Sequence, residues 1–315
     1  VTLILLNISF LSKAQQGNDL EDSLPYKFKK EYFFKNSPKF DKTRAYTVIG
    51  SGVGLYSLGM VGLYQLWYKG YPQSNFHFIN DNLEFNGLDK FGHAFTSYSE
   101  GWTGYNLMKW SGCSENKSIL IGGSVGFFMQ MTIEIFDGYS SEWGFSPGDA
   151  IANGIGSALF IGQQFAFQDQ LFLPKFSYSP SKYAQYNREL LGKGLKETFI
   201  KDYNGQTYWL SFAPARWIKK DTKFPKWLAF SLGYGIDGYT GANTNPTTDK
   251  KTGFPLPYFK QAYQVYGSID IDLSQIKTKS KFWKAFFNYA NSIKIPAPTL
   301  EWHSKNGFVG HYLYF

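Results

Sequence analysis

The chain has 315 residues, 43% of them hydrophobic and 20% aromatic, with a net charge of +8. That length can bury one large core or two smaller ones, and the single cysteine, Cys113, excludes a disulfide framework or a cysteine-built metal site within one chain. The charge is uneven: residues 41–170 carry 6 Lys+Arg against 11 Asp+Glu, a net of −5, and residues 171–315 carry 20 against 9, a net of +11. The lysines of the basic half are scattered among turn residues with no recognition motif, so no nucleic-acid partner is expected.

The first fourteen residues read as an export signal. An apolar core over residues 3–11 is followed by Ser12-Lys13-Ala14, which offers small residues where a signal peptidase reads, with cleavage before Gln15. No cysteine follows that core, so the sequence predicts no lipid anchor. Residues 15–43 form a polar, basic arm with scattered aromatics.

From Ala45 to Tyr68 there are 24 residues without a charge, long enough to cross a bilayer. Gly50 and Gly54 make a G-x-x-x-G pair inside this run, and a helix with glycine there is expected to pack closely on another backbone. Small residues recur at the same spacing in 88–110 (Ser97, Gly101), in 117–137 (Gly122, Gly126) and in 147–168 (Gly148, Ala152, Gly156). These segments predict a compact, glycine-seamed four-helix bundle over 44–172. Residues 173–315 change character. A polar helix is expected over 181–200, then strands over Thr207–Phe212, Trp227–Tyr234 and Tyr263–Leu273, an amphipathic stretch over Phe282–Tyr289, and an aromatic terminal strand ending in Phe315. Four or five strands are too few for a closed membrane barrel, so a small antiparallel sheet beside the bundle is expected, giving an α+β fold.

The bundle carries polar groups at regular intervals: Asp89, Lys90, His93, Glu100, Glu134, Asp137, Asp149 and Asn153. On a helix, Asp89, His93 and Glu100 fall within about 40° of one another. Gln130, Glu134 and Asp137 share a face of the third helix, and Asp149 and Asn153 share one of the fourth. Bundles build carboxylate–histidine metal sites in this way. No Glu-x-x-His pair is present, but His93, Glu134, Asp137 and Asp149 could hold one divalent ion, and a set so rich in oxygen suits Mg²⁺ or Ca²⁺ better than Zn²⁺. Simpler explanations compete. Ser146-Pro147-Gly148-Asp149 is a helix start with a capping acid, and Asp89 stands where exposed amide groups favour an acid. Asp89, Lys90, His93, Glu100, Glu134, Asp149 and Asn153 would then form a polar network that fixes the helix register and needs no cofactor. His93 with Glu134 or Asp137 could serve as a general base and its orienting acid. No nucleophile motif and no phosphate-cradling loop accompanies them.

The runs Asp89-Lys90-Phe91-Gly92-His93, Glu134-Ile135-Phe136-Asp137-Gly138 and Gly144 through Gly156 resemble the YfiM-like family of predicted bacterial envelope proteins, in a long form of Bacteroidota type. A looser echo is the VanZ-like membrane family. The chain is also similar, without a motif to anchor it, to plug subunits of the type 9 outer-membrane translocon. The resemblance implies an exported, non-enzymatic protein at the periplasmic face of the outer membrane, docked on a large secretion or assembly complex and associated with the membrane. The alternatives from the residues themselves are a metal-dependent hydrolase of lipid or cell-wall material acting through His93, Glu134 and Asp149, and a polytopic membrane protein.

Overall fold

The computed structural model describes residues 36–217, 224–249 and 251–315. The expected signal segment and most of the arm therefore lie outside the described residues. Four helices come first. α1 is Lys42–Leu63, capped by the Asp41 side chain on the Arg44 amide and ending in a π-helical turn over Tyr64–Tyr68. α2 is Leu88–Trp110. α3 is Val125–Gly138, led in by a short turn at Glu115–Lys117 and a π-helical turn at Ser118–Gly122. α4 is Pro147–Phe167, with Ser146 as its cap and proline in its first turn.

α2 is the central helix, flanked by α3 and α4. The expected small-residue seams are what bring them together. A Cβ on Gly126 of α3 would overlap the Ser97 carbonyl oxygen of α2, and one on Gly156 of α4 would overlap the Ala94 carbonyl oxygen. The Ser97 hydroxyl crosses the α2–α4 seam, donating to the Asn153 carbonyl at 2.7 Å and standing 2.9 Å from the Ser157 hydroxyl. Tyr98, Tyr105, Ile119 and Phe160 close a small apolar core next to it.

α1 departs from expectation. It forms, but open space lies beside Gly50, Gly54, Gly59 and Gly62, where an added Cβ would meet nothing. It touches the bundle through Arg44, which donates to the Trp110 carbonyl, through Tyr56, which donates to the Met129 carbonyl, and through Tyr68 at its end. Val53, Leu55, Leu58 and Val61 along it are exposed.

After α4 the chain enters a six-stranded antiparallel meander in sequence order: β1 (Phe172–Tyr178), β2 (Gln206–Phe212), β3 (Leu228–Asp237), β4 (Ala262–Ile271), β5 (Ala297–His303) and β6 (Gly307–Tyr314). The sequence suggests four or five strands. β1 and β5 were the unreadable ones because each carries a proline, Pro174 and Pro298. The polar helix expected over 181–200 is broken into short pieces, Arg188–Leu191 and Leu195–Lys201. The amphipathic stretch becomes α5, Lys281–Ala290, capped by Ser280.

The sheet is built inside out. Along one face Ser211, Ser231, Ser268 and Thr299 stand opposite one another on successive strands, all buried. Along the other, Leu210 faces Leu232, Phe230 faces Ile269, and Leu232, Ile269 and Leu300 are exposed. The buried face holds charge. Lys175 lies 3.0 Å from Asp270, both side chains fully buried, and the Lys294 ammonium lies 3.8 Å from the other Asp270 oxygen. The Asp270 carboxylate also accepts from the Ser231 hydroxyl, and Lys294 donates to the Ile269 and Ile295 carbonyls. The sheet curls over this interior until the Tyr314 hydroxyl of β6 meets Tyr266 at 2.6 Å and Thr207 of β2 at 3.4 Å. A stretch before β5 bridges back to the free side of β1, where the Phe176 amide donates to the Ser292 carbonyl and the Lys294 amide donates to the Phe176 carbonyl. β6 pairs with β5 alone among the described residues.

Candidate functional site

The start of α2, the end of α3 and the start of α4 meet at one end of the bundle, together with the loop at residues 80–84. Asp81, in that loop, was not singled out by the sequence, and it proves central. Its Oδ1 accepts from Lys90 Nζ at 2.6 Å and from the Ser146 hydroxyl at 2.6 Å. Lys90 Nζ also lies 3.0 Å from Asp89 Oδ2 and 2.8 Å from Asp149 Oδ1. One ammonium thus stands among three carboxylates. The approach is close enough that a Cβ on Gly148 would overlap Asn82 Oδ1 and crowd the Lys90 stem.

One turn further along α2, His93 lies beside Asn153, Glu134 and Asp149. Nδ1 is 3.1 Å from Asn153 Oδ1 and 3.6 Å from Glu134 Oε1, and Nε2 is 3.7 Å from Asp149 Oδ1. Asn153 Oδ1 can only accept, so Nδ1 is the donor in this contact and Nε2 faces Asp149. Glu134 is 1% exposed. Its Oε2 accepts from the Ser146 amide at 3.3 Å, while its Oε1 accepts no hydrogen bond.

The local capping explanations hold only in part. Ser146 does cap α4, its hydroxyl accepting from the Asp149 amide at 3.1 Å. The Asp149 carboxylate does not close the capping box; the Ser146 amide goes to Glu134, and Asp149 turns toward Lys90 and His93. Asp137 is drawn off by the Tyr68 hydroxyl from the end of α1. Glu100 sits higher on α2, accepting from Gln130 at 3.0 Å, as a separate polar contact between α2 and α3. The site therefore gathers Asp89, Lys90, His93, Glu134, Asp149 and Asn153 of the expected residues and adds Asp81, Ser146 and Tyr68. A signal for Asp81 existed in the run Asn80-Asp81-Asn82, an unusual density of short polar side chains ahead of a helix.

The electrostatics follow from burial around a single cation. Burial works to raise Asp81, but hydrogen bonds from Lys90 and Ser146 outweigh it and hold its carboxyl below the usual range. For Asp89 burial prevails over the same lysine and pushes the carboxyl up to about 6. Burial likewise raises Asp149, against the pull of His93 and Lys90.

Residues 77–162, roughly a quarter of the chain, match a family described as predicted periplasmic lipoproteins (DUF2279). No curated protein and no solved structure matches the chain. The matched stretch contains Asp81, Asp89, Lys90, His93, Glu134, Asp149 and Asn153, the whole cluster except Tyr68. The lipoprotein description runs against the expectation of no lipid anchor, an expectation that rests on residues outside the described ones; Cys113 is buried in the turn after α2. The protein is an exported one, periplasmic or membrane-anchored.

Proposed function

We propose that the protein is a non-enzymatic subunit of the bacterial outer membrane, seated in lipid by its sheet and α1 and docked on a larger secretion or assembly complex of the kind that type 9 translocon plug subunits serve. The alternation of the sheet carries this reading. A half-buried sheet in water puts its apolar row inward and its polar row outward. Here serines, threonine and an ionic triad point inward, and Leu210, Phe230, Leu232, Ile269 and Leu300 point out. That inversion is how strands face hydrocarbon. α1 and the helix over Glu115–Gly138 are long and apolar enough to cross a bilayer by length and composition, and the apolar window of α1 is uncovered.

The partner is argued from β6. An open strand edge in hydrocarbon leaves amide and carbonyl groups without hydrogen bonds, at several kcal/mol each, so it needs a neighbour. On this reading a strand of a larger outer-membrane protein pairs with β6. In cells, the protein should remain in the membrane after alkaline extraction and migrate in mild detergent within a large assembly. Full release at alkaline pH refutes the lipid seat, and a monodisperse monomer refutes the complex.

A further inference from the structure

We propose that His93 Nε2, Glu134 Oε1 and Asp149 Oδ1 are the ligands of one divalent transition-metal ion, Zn²⁺ or Mn²⁺. One ligand atom from each of the three residues lies within 4.8 Å of the others. The separation of Nε2 from Asp149 Oδ1, 3.7 Å, is close to the edge of a tetrahedron with metal–ligand bonds of about 2.1 Å, roughly 3.4 Å. The Asn153 contact presents the imidazole in the tautomer a metal needs, in the way that outer hydrogen bonds orient ligating histidines.

The independent pointer is Glu134. Its Oε1 is buried, lies 3.6 Å from His93 Nδ1 at the rim of the group formed with His93 and Asp149, and accepts no hydrogen bond. A buried carboxylate oxygen with nothing donating to it is costly, and an ion at its lone pair removes that cost. The charge balance agrees. Asp81, Asp89, Glu134 and Asp149 converge on one ammonium, that of Lys90, and one imidazole.

A neighbouring trio, Asp81, Asp89 and Asp149, also meets the distance requirement for a cation. That trio already has one: Lys90 Nζ stands at 2.6, 3.0 and 2.8 Å from its oxygens. The ion therefore belongs on the His93 side, with Asp149 shared between metal and ammonium. Because Tyr68 draws Asp137 away, the donor set is one nitrogen and two carboxylate oxygens. That mixture suits Zn²⁺ or Mn²⁺ better than the all-oxygen coordination of Mg²⁺ or Ca²⁺.

The test uses the full chain purified in mild detergent, stripped with chelator and dialysed against Zn²⁺, Mn²⁺, Mg²⁺ or Ca²⁺. Elemental analysis should find one equivalent of Zn²⁺ or Mn²⁺ per chain, with a rise in melting temperature. Glu134→Gln, which keeps volume and the acceptor for the Ser146 amide, should weaken binding at least tenfold and abolish the thermal rise. His93→Gln should do the same, whereas Asp137→Asn should bind as the wild type does. Melting of each ion-free variant reports its folding. Absence of stoichiometric uptake by the wild type, or equal uptake by folded Glu134→Gln, overturns the proposal.

Discussion

At the scale of single residues, the structure separates charges that hold the fold together from charges that oppose it. Asp89 is of the second kind. Its carboxyl is near 3.8 when unfolded and about 6 when folded, so the folded state binds its proton more tightly. Its contribution is fully present below the unfolded value and is lost as pH rises from about 4 to 6. Asp149 acts with the same sign, while the depressed Asp81 acts only in more acid solution, where its stabilisation is lost as pH falls. Denaturant midpoints at pH 4.5 and 7 should therefore fall with pH in the wild type, by on the order of 2 kcal/mol from Asp89, and Asp89→Asn should flatten that part of the slope. Asp270 is of the first kind. Asp270→Asn leaves the Lys175 and Lys294 ammonium groups buried without a counter-charge, at a cost of about 3–5 kcal/mol in a denaturant titration. Replacing all three charges together, Lys175→Met, Lys294→Met and Asp270→Leu, should recover much of the loss.

At the scale of elements, glycine spacing was legible in the sequence but its meaning was not. The same small-residue pattern marks α1, α2, α3 and α4. In the last three it is a contact made within the chain; in α1 it faces open space. Spacing tells that a helix can be approached closely and is silent on what approaches. Gly126→Val should lower stability by roughly 1–3 kcal/mol through overpacking against Ser97. Gly54→Ala should leave the melting temperature of the isolated protein unchanged or raise it, because its added Cβ meets nothing and alanine favours the helix. The strands Gln206–Phe212, Leu228–Asp237 and Ala262–Ile271 could be read from alternating and aromatic runs, whereas Pro174 and Pro298 hid β1 and β5. The cluster was legible where helical periodicity governs it, as for His93 and Glu134. It was opaque where a loop or a distant helix end contributes, because no local pattern ties Asp81 or Tyr68 to residues 65 and 69 positions away along the chain.

At the scale of the whole molecule, an acidic polar cluster at one end of a bundle sits beside a sheet with ions inside and leucines outside. The two halves are joined by α2, whose Phe91 stacks on Tyr234 and whose Phe95 meets Phe176 and Tyr208. If the outer face sits in lipid as proposed above, Leu232→Asp should leave the buried ionic triad untouched yet shift the protein from the membrane fraction to aggregates, read by fractionation.

The inside-out sheet also constrains how the protein is made. Water solvates its inner face in the unfolded chain and offers nothing to its outer face once folded, so the folding of residues 172–315 and their arrival in lipid are coupled on the reading proposed above. On the same reading, such a half crosses the periplasm before it finishes folding. Synthesised without membranes it should precipitate, and micelles added during synthesis should recover its strand signal in circular dichroism. On that reading the envelope supplies the last component of the fold.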